Sequence, residues 1–372
     1  MPRCRRVCTA GRLSIRRSSP ERRPGSPPPL PPSPTARASR PLAVVRVTTR
    51  CRVDLAGGTL DIWPIGLLHA EAATVNVAID LPVRVALARR ASGWTVRQGG
   101  ETIEASRAEA LLDRPRTALV GLVAAEHGLA GGELELESGS PAGAGLGASS
   151  ALTVALLAAF EMAETGHLQR TSGHRAAVAR DLEARLMGLP TGRQDHFPAQ
   201  LGGALALEHR PGEERVRRLA VDLDALGERL LVAFTGQSHF SAGNNWQVIR
   251  RRLEGDREVI ARLDRIRDAA RRTPAALEAS DWPAVGAAME SDWEARQGLA
   301  PEIPTPAIER LLAAARAAGA WGGKACGAGG GGCIAVLAPP SARAAIEARW
   351  RELGAALLDA RPTVSGLETA DA

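Results

Sequence analysis

The chain has 372 residues, 45% apolar and 24% charged, which excludes a fibrous or wholly disordered protein and suits a globular body of two domains. Its net charge of +6 is unevenly placed: residues 1–41 carry ten arginines against Glu21, a local +9, so the remainder lies near −3. The basic balance therefore gives no reason to expect nucleic-acid binding by the folded part.

In chain order, residues 1–41 are rich in Arg, Pro and Ser and lack hydrophobic periodicity, so they are expected to be disordered. Their proline run would break the amphipathic helix of a transit peptide, and a misassigned start codon in a GC-rich gene accounts for the arginine excess. Strands are predicted at Val44–Thr49, Cys51–Ala56, Thr74–Ile79, Val83–Ala88 and Thr95–Arg97. A helix follows at Ala118–Glu126, a strand at Glu133–Glu137, and a helix after Ser150. The next helix, Gly173–Met187, meets the stop signal Gly188 with Pro190 beyond it. Strands resume at Gly203–Leu207 and Leu230–Phe234. The second half reads as helices Asn245–Leu253, Arg257–Arg271, Trp282–Gln297 and Pro306–Ala318, then strand Cys333–Leu337 and helix Ser341–Leu353. Mixed strands and helices without regular βαβ alternation predict an α+β fold, divided near Gly202 into domains 42–202 and 203–372. No apolar run reaches the length of a membrane span, and the five cysteines show neither disulfide nor zinc spacing. A soluble, cytoplasmic body with no membrane partner is expected.

Two glycine-rich segments stand out. Pro141-Ala-Gly-Ala-Gly-Leu-Gly-Ala-Ser-Ser150 has glycines at 143, 145 and 147 and runs into a small, apolar helix-forming stretch. Free N–H groups at a helix N-terminus, with the positive end of its dipole, make an anion site. Backbone and side-chain groups from Pro141, Gly143, Gly145, Leu146, Gly147, Ala148, Ser149 and Ser150 are the candidates for holding a phosphate. The second segment, Gly322-Gly-Lys-Ala-Cys-Gly-Ala-Gly-Gly-Gly-Gly-Cys333, reads as a tight loop entering a buried strand. It contains Lys324, the only lysine of the chain, and Gly327, Gly329 and Gly330 are its further candidates for cofactor contact. Neither segment fits the Walker or the Rossmann spacing.

Together with Arg50-Cys-Arg-Val-Asp-Leu-Ala-Gly-Gly-Thr-Leu-Asp61, these segments resemble the three ordered motifs of the GHMP kinase superfamily, from about Arg50 to Leu337. The first motif is more similar to the sugar-kinase branch, which includes galactokinase, fucokinase and heptose-7-phosphate kinase, than to the mevalonate branch. The resemblance implies two α+β domains with the site in the cleft between them, ATP and Mg²⁺ as cofactors, and a sugar or sugar phosphate as acceptor. It implies Asp195, in Gly192-Arg-Gln-Asp195, as the residue receiving the hydroxyl proton, and Arg52 as its electrostatic partner. It implies Ser149 and Glu183 as metal ligands, with Ala148 standing where many members have serine, and Asp61 as a contact to a sugar hydroxyl.

Other readings of these residues stand beside it. Glu183 also suits a helix-surface pairing with Arg180 or Arg185, Asp195 a turn cap, and Asp61 a turn before Pro64. The polar segment Phe234–Asn245 suits either an acceptor-pocket lining, through His239 or Asn244, or a solvated loop. The rival functions are a mevalonate-type isoprenoid kinase and a catalytically silent sugar or nucleotide sensor. A sensor needs the phosphate cradle but not Asp195, Arg52, Ser149 and Glu183 together.

Overall fold

The computed structural model describes residues 44–212, 214–238 and 242–371; the expectation for residues 1–41 lies outside them. The first sheet begins with β1 (Val44–Ala56), β2 (Ala73–Arg89), β3 (Gly93–Gln98), β4 (Glu101–Ala105) and β5 (Gly131–Ser138), and β6 (Ala204–His209) and β7 (Glu214–Arg218) join it. A second sheet contains β8 (Leu230–Phe234), β9 (Gly322–Ala325), β10 (Cys333–Leu337) and β11 (Ala356–Leu358) in the order β11-β8-β10-β9. The last strand, β12 (Glu368–Asp371), returns to the edge of the first sheet, whose path is β12-β1-β2-β5-β3-β4. Because β6, β7 and β12 follow Gly202 and still pair within the first sheet, the two sheets do not divide the chain at that residue.

Four strands expected as separate pieces are two long ones. β1 and β2 each continue past a register shift, where Arg50 faces Pro82 and Cys51 faces Ile79. Asp80 and Leu81 bulge out at that point, and the Asp80 N–H is taken up by the Arg361 carbonyl at 2.7 Å. The bulge lets Pro82, which has no N–H to give, sit inside a continuous ladder.

Helices α1 (Ile65–Leu68), α2 (Glu109–Leu112) and α3 (Ala118–His127) belong to the first half, with α4 (Ala148–Thr165), α5 (Ser172–Met187) and α6 (His196–Leu201). α4 is apolar almost all round, as a helix covered on every side must be. Its Leu156 and Phe160 pack with Val47, Leu87 and Leu134 of the sheet, and Phe160 stacks on Trp94 with centroids 5.9 Å apart. α7 (Leu223–Arg229) and α8 (Ala242–Leu253) lead to α9 (Arg257–Glu278) and α10 (Trp282–Gln297), and the chain then forms α11 (Pro306–Ala317) and α12 (Pro340–Glu352). α9 was expected to stop at Arg271, before Pro274, but runs through that proline. Buried Thr273 and Leu277 keep the last turns packed against the body, and that burial offsets the lost backbone bond.

The start of the second glycine-rich segment is a strand, not a loop. Gly322 and Gly323 lie in β9, paired with Leu337 and Val336 of β10. Their lack of side chains is a matter of clearance: a Cβ on Gly322 would come within 2.7 Å of the Gly286 carbonyl carbon in α10. α10 therefore lies directly on the strand backbone, an approach that no larger residue permits. Among the described residues, no helix is long and apolar enough to cross a membrane.

Gly322→Ala should destabilise the protein by about 1–3 kcal/mol through overpacking against rigid backbone. Urea denaturation followed by circular dichroism measures this, and an unchanged midpoint would refute the interlock between β9 and α10.

Candidate active site

The loop after β5 turns through three left-handed glycines, Gly143 (φ 68°), Gly145 (φ 73°) and Gly147 (φ 73°), and Gly147 is the residue from which α4 starts. Two backbone contacts set its position. The Gly145 carbonyl accepts from Arg52 Nη1 at 2.6 Å, and the Leu146 carbonyl accepts from the Arg52 N–H at 2.9 Å. Leu146 itself is buried in the core, so its contribution to the cradle is backbone only. Pro141, Gly143, Gly145, Gly147, Ala148, Ser149 and Ser150 all border one cavity of about 550 Å³ at the N-terminus of α4.

The second glycine loop serves the first as a support. A Cβ on Gly145 would lie 2.5 Å from the Cys326 carbonyl oxygen, and one on Gly327 3.2 Å from the Gly145 oxygen. The two loops thus meet backbone to backbone, and Gly327 and Ala328 reach the cavity. Three expectations are corrected here. Gly329 packs on Ile303, and the Gly330 N–H donates to the Ile303 carbonyl at 2.7 Å, so both fasten the loop from behind. Lys324 is fully buried and outside the cavity lining; its Nζ is 2.7 Å from Asp54 and 3.1 Å from Asp292. A charge enclosed by two carboxylates is satisfied by the protein and has no reach to a cofactor.

Arg52 and Asp195 form the centre of the cavity wall. Arg52 Nε and Nη2 contact Asp195 Oδ1 at 2.8 and 2.7 Å, so Oδ2 is the oxygen the guanidinium leaves free. Arg52 is buried, which disfavours its charge, but Asp195 and then Asp54 outweigh that and raise its pKa above the ordinary arginine value. A Cβ on Gly147 would lie 3.3 Å from Asp195 and from Arg52, so the cradle and the ion pair are in van der Waals contact. Asp61 borders the same cavity and accepts the Gln194 N–H at 3.1 Å. A Cβ on Gly192 would come within 2.5 Å of its carboxyl carbon, which explains a glycine there. Burial, then the neighbouring Asp195 charge, pushes the Asp61 carboxyl up to about 6, against opposing pulls from the Gln194 N–H and Arg52.

Glu183 is buried rather than on the helix surface, and it contacts neither Arg180 nor Arg185. It accepts from Ser150 Oγ at 3.1 Å and Thr153 Oγ1 at 2.9 Å, and His196 Nε2 stands 3.3 Å away. Ser150 is thus a buried anchor for Glu183, whereas Ser149 is exposed beside the cavity. A hydroxyl and one carboxylate are hard oxygen donors of the kind magnesium takes. Among the described residues no group of three or more His, Cys, Asp or Glu could hold a metal. The N-terminus of α4 and the left-handed glycines fit a polyphosphate. His239 and the side chain of Asn244 lie outside the described residues; Asn245, next in the chain, borders the cavity.

The sequence reading missed Asp54, Asp292, Arg296 and Gln194. Asp54 accepts from Lys324 and from the Gly327 N–H at 3.0 Å; burial opposes its charge, but Lys324, Arg52 and Arg296 hold its carboxyl below the usual range. Asp292 Oδ2 accepts the Gly57 N–H at 2.8 Å and its Oδ1 is 3.2 Å from Arg296 Nε. Arg296 in turn donates to the Gly58 carbonyl at 2.7 Å and to Thr59 Oγ1 at 2.9 Å. A signal existed for Asp54, two residues after Arg52 and so on the same face of a strand.

Comparison with known proteins bears on both halves. The family model for the GHMP kinases N terminal domain matches residues 116–203, and that for the GHMP kinases C terminal matches residues 273–356. The chain belongs to the GHMP kinase superfamily. It is 26% identical over 215 residues to the D-glycero-alpha-D-manno-heptose 7-phosphate kinase of Campylobacter jejuni, a match covering 56% of this chain and 61% of that protein. It is 29% identical over 257 residues to the galactokinase of Streptomyces coelicolor, covering 60% of this chain and 65% of that one. The matches thus span less than two thirds of these relatives' length. The fold is shared with the galactokinase of Lactococcus lactis crystallised with galactose, at a TM-score of 0.71 and 16% identity, over 87% of this chain and 95% of that chain.

Lys324→Met should cost about 3–5 kcal/mol, because it removes the cation that lies between two buried carboxylates. Denaturant titration tests it, and a cost below about 1 kcal/mol would mean that the lysine is dispensable to the fold. Asp61 gives a second expectation. Its native pKa of about 6 exceeds the ordinary 3.8, so the native state holds a proton that the unfolded chain releases between those values. Stability should fall as pH rises through that window, and Asp61→Asn should remove that part of the fall in a pH series of melting curves.

Proposed function

We propose that the protein is an ATP- and magnesium-dependent kinase that phosphorylates a hydroxyl of a sugar or sugar phosphate. The observation that carries this reading is the Arg52–Asp195 pair set against the N-terminus of α4, with Asp61 and Glu183 on the same cavity. A module that only bound a nucleotide or sugar would need the cradle but not a carboxylate clamped beside it. Similarity to proteins named as a heptose 7-phosphate kinase and a galactokinase supports the sugar class.

Bound ATP with magnesium would supply the transferable phosphoryl group and offset part of its charge. The protein's own residues supply position and field. The backbone N–H groups at Gly147–Ser149 and the α4 dipole hold negative charge at the cavity floor. Ser149 and Glu183 are the oxygen donors for the ion, with Ser150 and Thr153 fixing the Glu183 carboxylate. Asp195 orients the acceptor hydroxyl and takes its proton on Oδ2. An arginine-paired carboxylate is a weak base, yet the loose transition state of phosphoryl transfer asks for little deprotonation before the bond forms. Arg52 keeps its charge while buried and so stabilises negative charge passing beside it. Asp61 and Gln194 face the acceptor. The Gln194 amide oxygen is buried without a hydrogen-bond partner among the described residues and is an acceptor suited to a sugar hydroxyl.

ADP release should appear with a member of a panel of free sugars, sugar monophosphates and mevalonate; mevalonate as the best acceptor would overturn the sugar assignment. Asp195→Asn should lower kcat by roughly 10²-fold or more while leaving nucleotide affinity nearly unchanged. Ser149→Ala and Glu183→Gln should raise the magnesium concentration needed for half-maximal rate, whereas Ser150→Ala should act mainly on stability. Unaltered metal dependence in Glu183→Gln would leave that residue a structural role only.

A further inference from the structure

A second cavity, of about 480 Å³, adjoins the first: Asp61, Ile62 and Thr191 border both. Its lining differs in character from the phosphate cradle. Arg180 enters from α5, Arg193 from the loop before α6, and Arg210 from the turn after β6. Three successive stretches of the chain thus bring arginines to one hollow that Asp61 also borders. Each arginine has one carboxylate neighbour: Arg180 Nε is 2.8 Å from Asp181, Arg193 Nη1 2.6 Å from Glu214, and Arg210 Nε 3.0 Å from Glu208. Asp181 and Glu208 are well exposed, and such surface pairs contribute only about 0–1 kcal/mol, so they yield readily to a better anion. A guanidinium has five donors in a fork that matches a phosphate, and each pairing above uses one face of it. The lining also includes the Glu214 carboxylate and, as apolar members, Trp63 and Leu67. Trp63 is 64% exposed and Leu67 47% exposed, an uncommon outlay of large apolar surface beside a row of charges.

We propose that this second cavity receives an anionic substituent of the acceptor, a phosphate monoester carried at the end of the sugar remote from the reacting hydroxyl. The inference rests on the kinase reading for which hydroxyl reacts, but the binding claim stands apart from it. Asp61 marks the junction. Its carboxylate suits the neutral hydroxyls of a sugar ring and repels an anion, so the phosphate must lie beyond it, among the arginines. The Trp63 face then covers the carbon chain that joins the two ends. His209 also borders this cavity; burial and then Arg193 lower its pKa to about 4, so at neutral pH it adds no charge of its own.

Equilibrium binding by calorimetry tests this with the full chain and the first cavity saturated by a non-hydrolysable ATP analogue and magnesium. Glucose 6-phosphate, mannose 6-phosphate and sedoheptulose 7-phosphate are compared with their parent sugars. At least one phosphorylated sugar should bind about tenfold or more tighter than its parent, the scale of hydrogen bonds to a charged group. That advantage should shrink with added salt and fall to within about threefold in the Arg180→Gln/Arg210→Gln variant. A variant with native melting behaviour that keeps the full preference would overturn the proposal, as would equal affinity for every pair in the wild type. Product formation, assayed separately, decides the kinase reading: failure to make ADP with bound sugar phosphate would sink that reading and leave the anion pocket standing.

Discussion

A chain of alternating buried charges, Arg52–Asp54–Lys324–Asp292–Arg296, is the constraint on which the remaining architecture depends. It joins β1 of the first sheet to β9 of the second and to α10. Each ion would be costly to bury alone, because desolvation takes several kcal/mol from each. Placed in alternation, with backbone N–H groups of Gly57 and Gly327 on the remaining carboxylate oxygens, the charges satisfy one another. The strand, the glycine loop and the helix can therefore occupy one relative arrangement, since any slip leaves a charge without its partner.

The candidate site inherits its geometry from that chain. Arg52 is both its end and the partner of Asp195, and its main chain and side chain both fasten the cradle loop. Asp54 fixes the second glycine loop through Gly327, and that loop supports Gly145 from behind. The glycine loop, Asp195 and the interface between the sheets are one connected network. Ordered donors of this kind need not reorganise when a polyanion arrives, which is how preorganised sites gain their advantage.

The sequence was most legible where local chemistry settles the outcome. α10 and β10 occur at the predicted residues, because a capping Asp281 and a short apolar run are local signals. The Gly143–Gly147 cradle and the Arg52–Asp195 pairing were open to motif reading, since both follow from residue type and order. Lys324 was misread: its rarity was visible, but its two partners lie 270 and 32 positions away, and nothing local reveals an enclosed ion pair. β9 was missed because glycine-rich sequence reads as loop, whereas Gly322 is small to admit α10. Ser150 and Ser149 look alike in sequence, and the turn of the helix separates them, one inward to Glu183 and one outward.

The lone lysine has a consequence for covalent chemistry. Every other basic side chain of this type in the sequence is arginine, so Lys324 holds the only ε-amine, and it is wholly enclosed. Amine-directed acylating reagents, acetyltransferases and ubiquitin ligases find no side-chain amine on the folded surface. Acylation at Lys324 can happen only when the enclosure around it opens, so its rate reports the opening of the molecule at this seam.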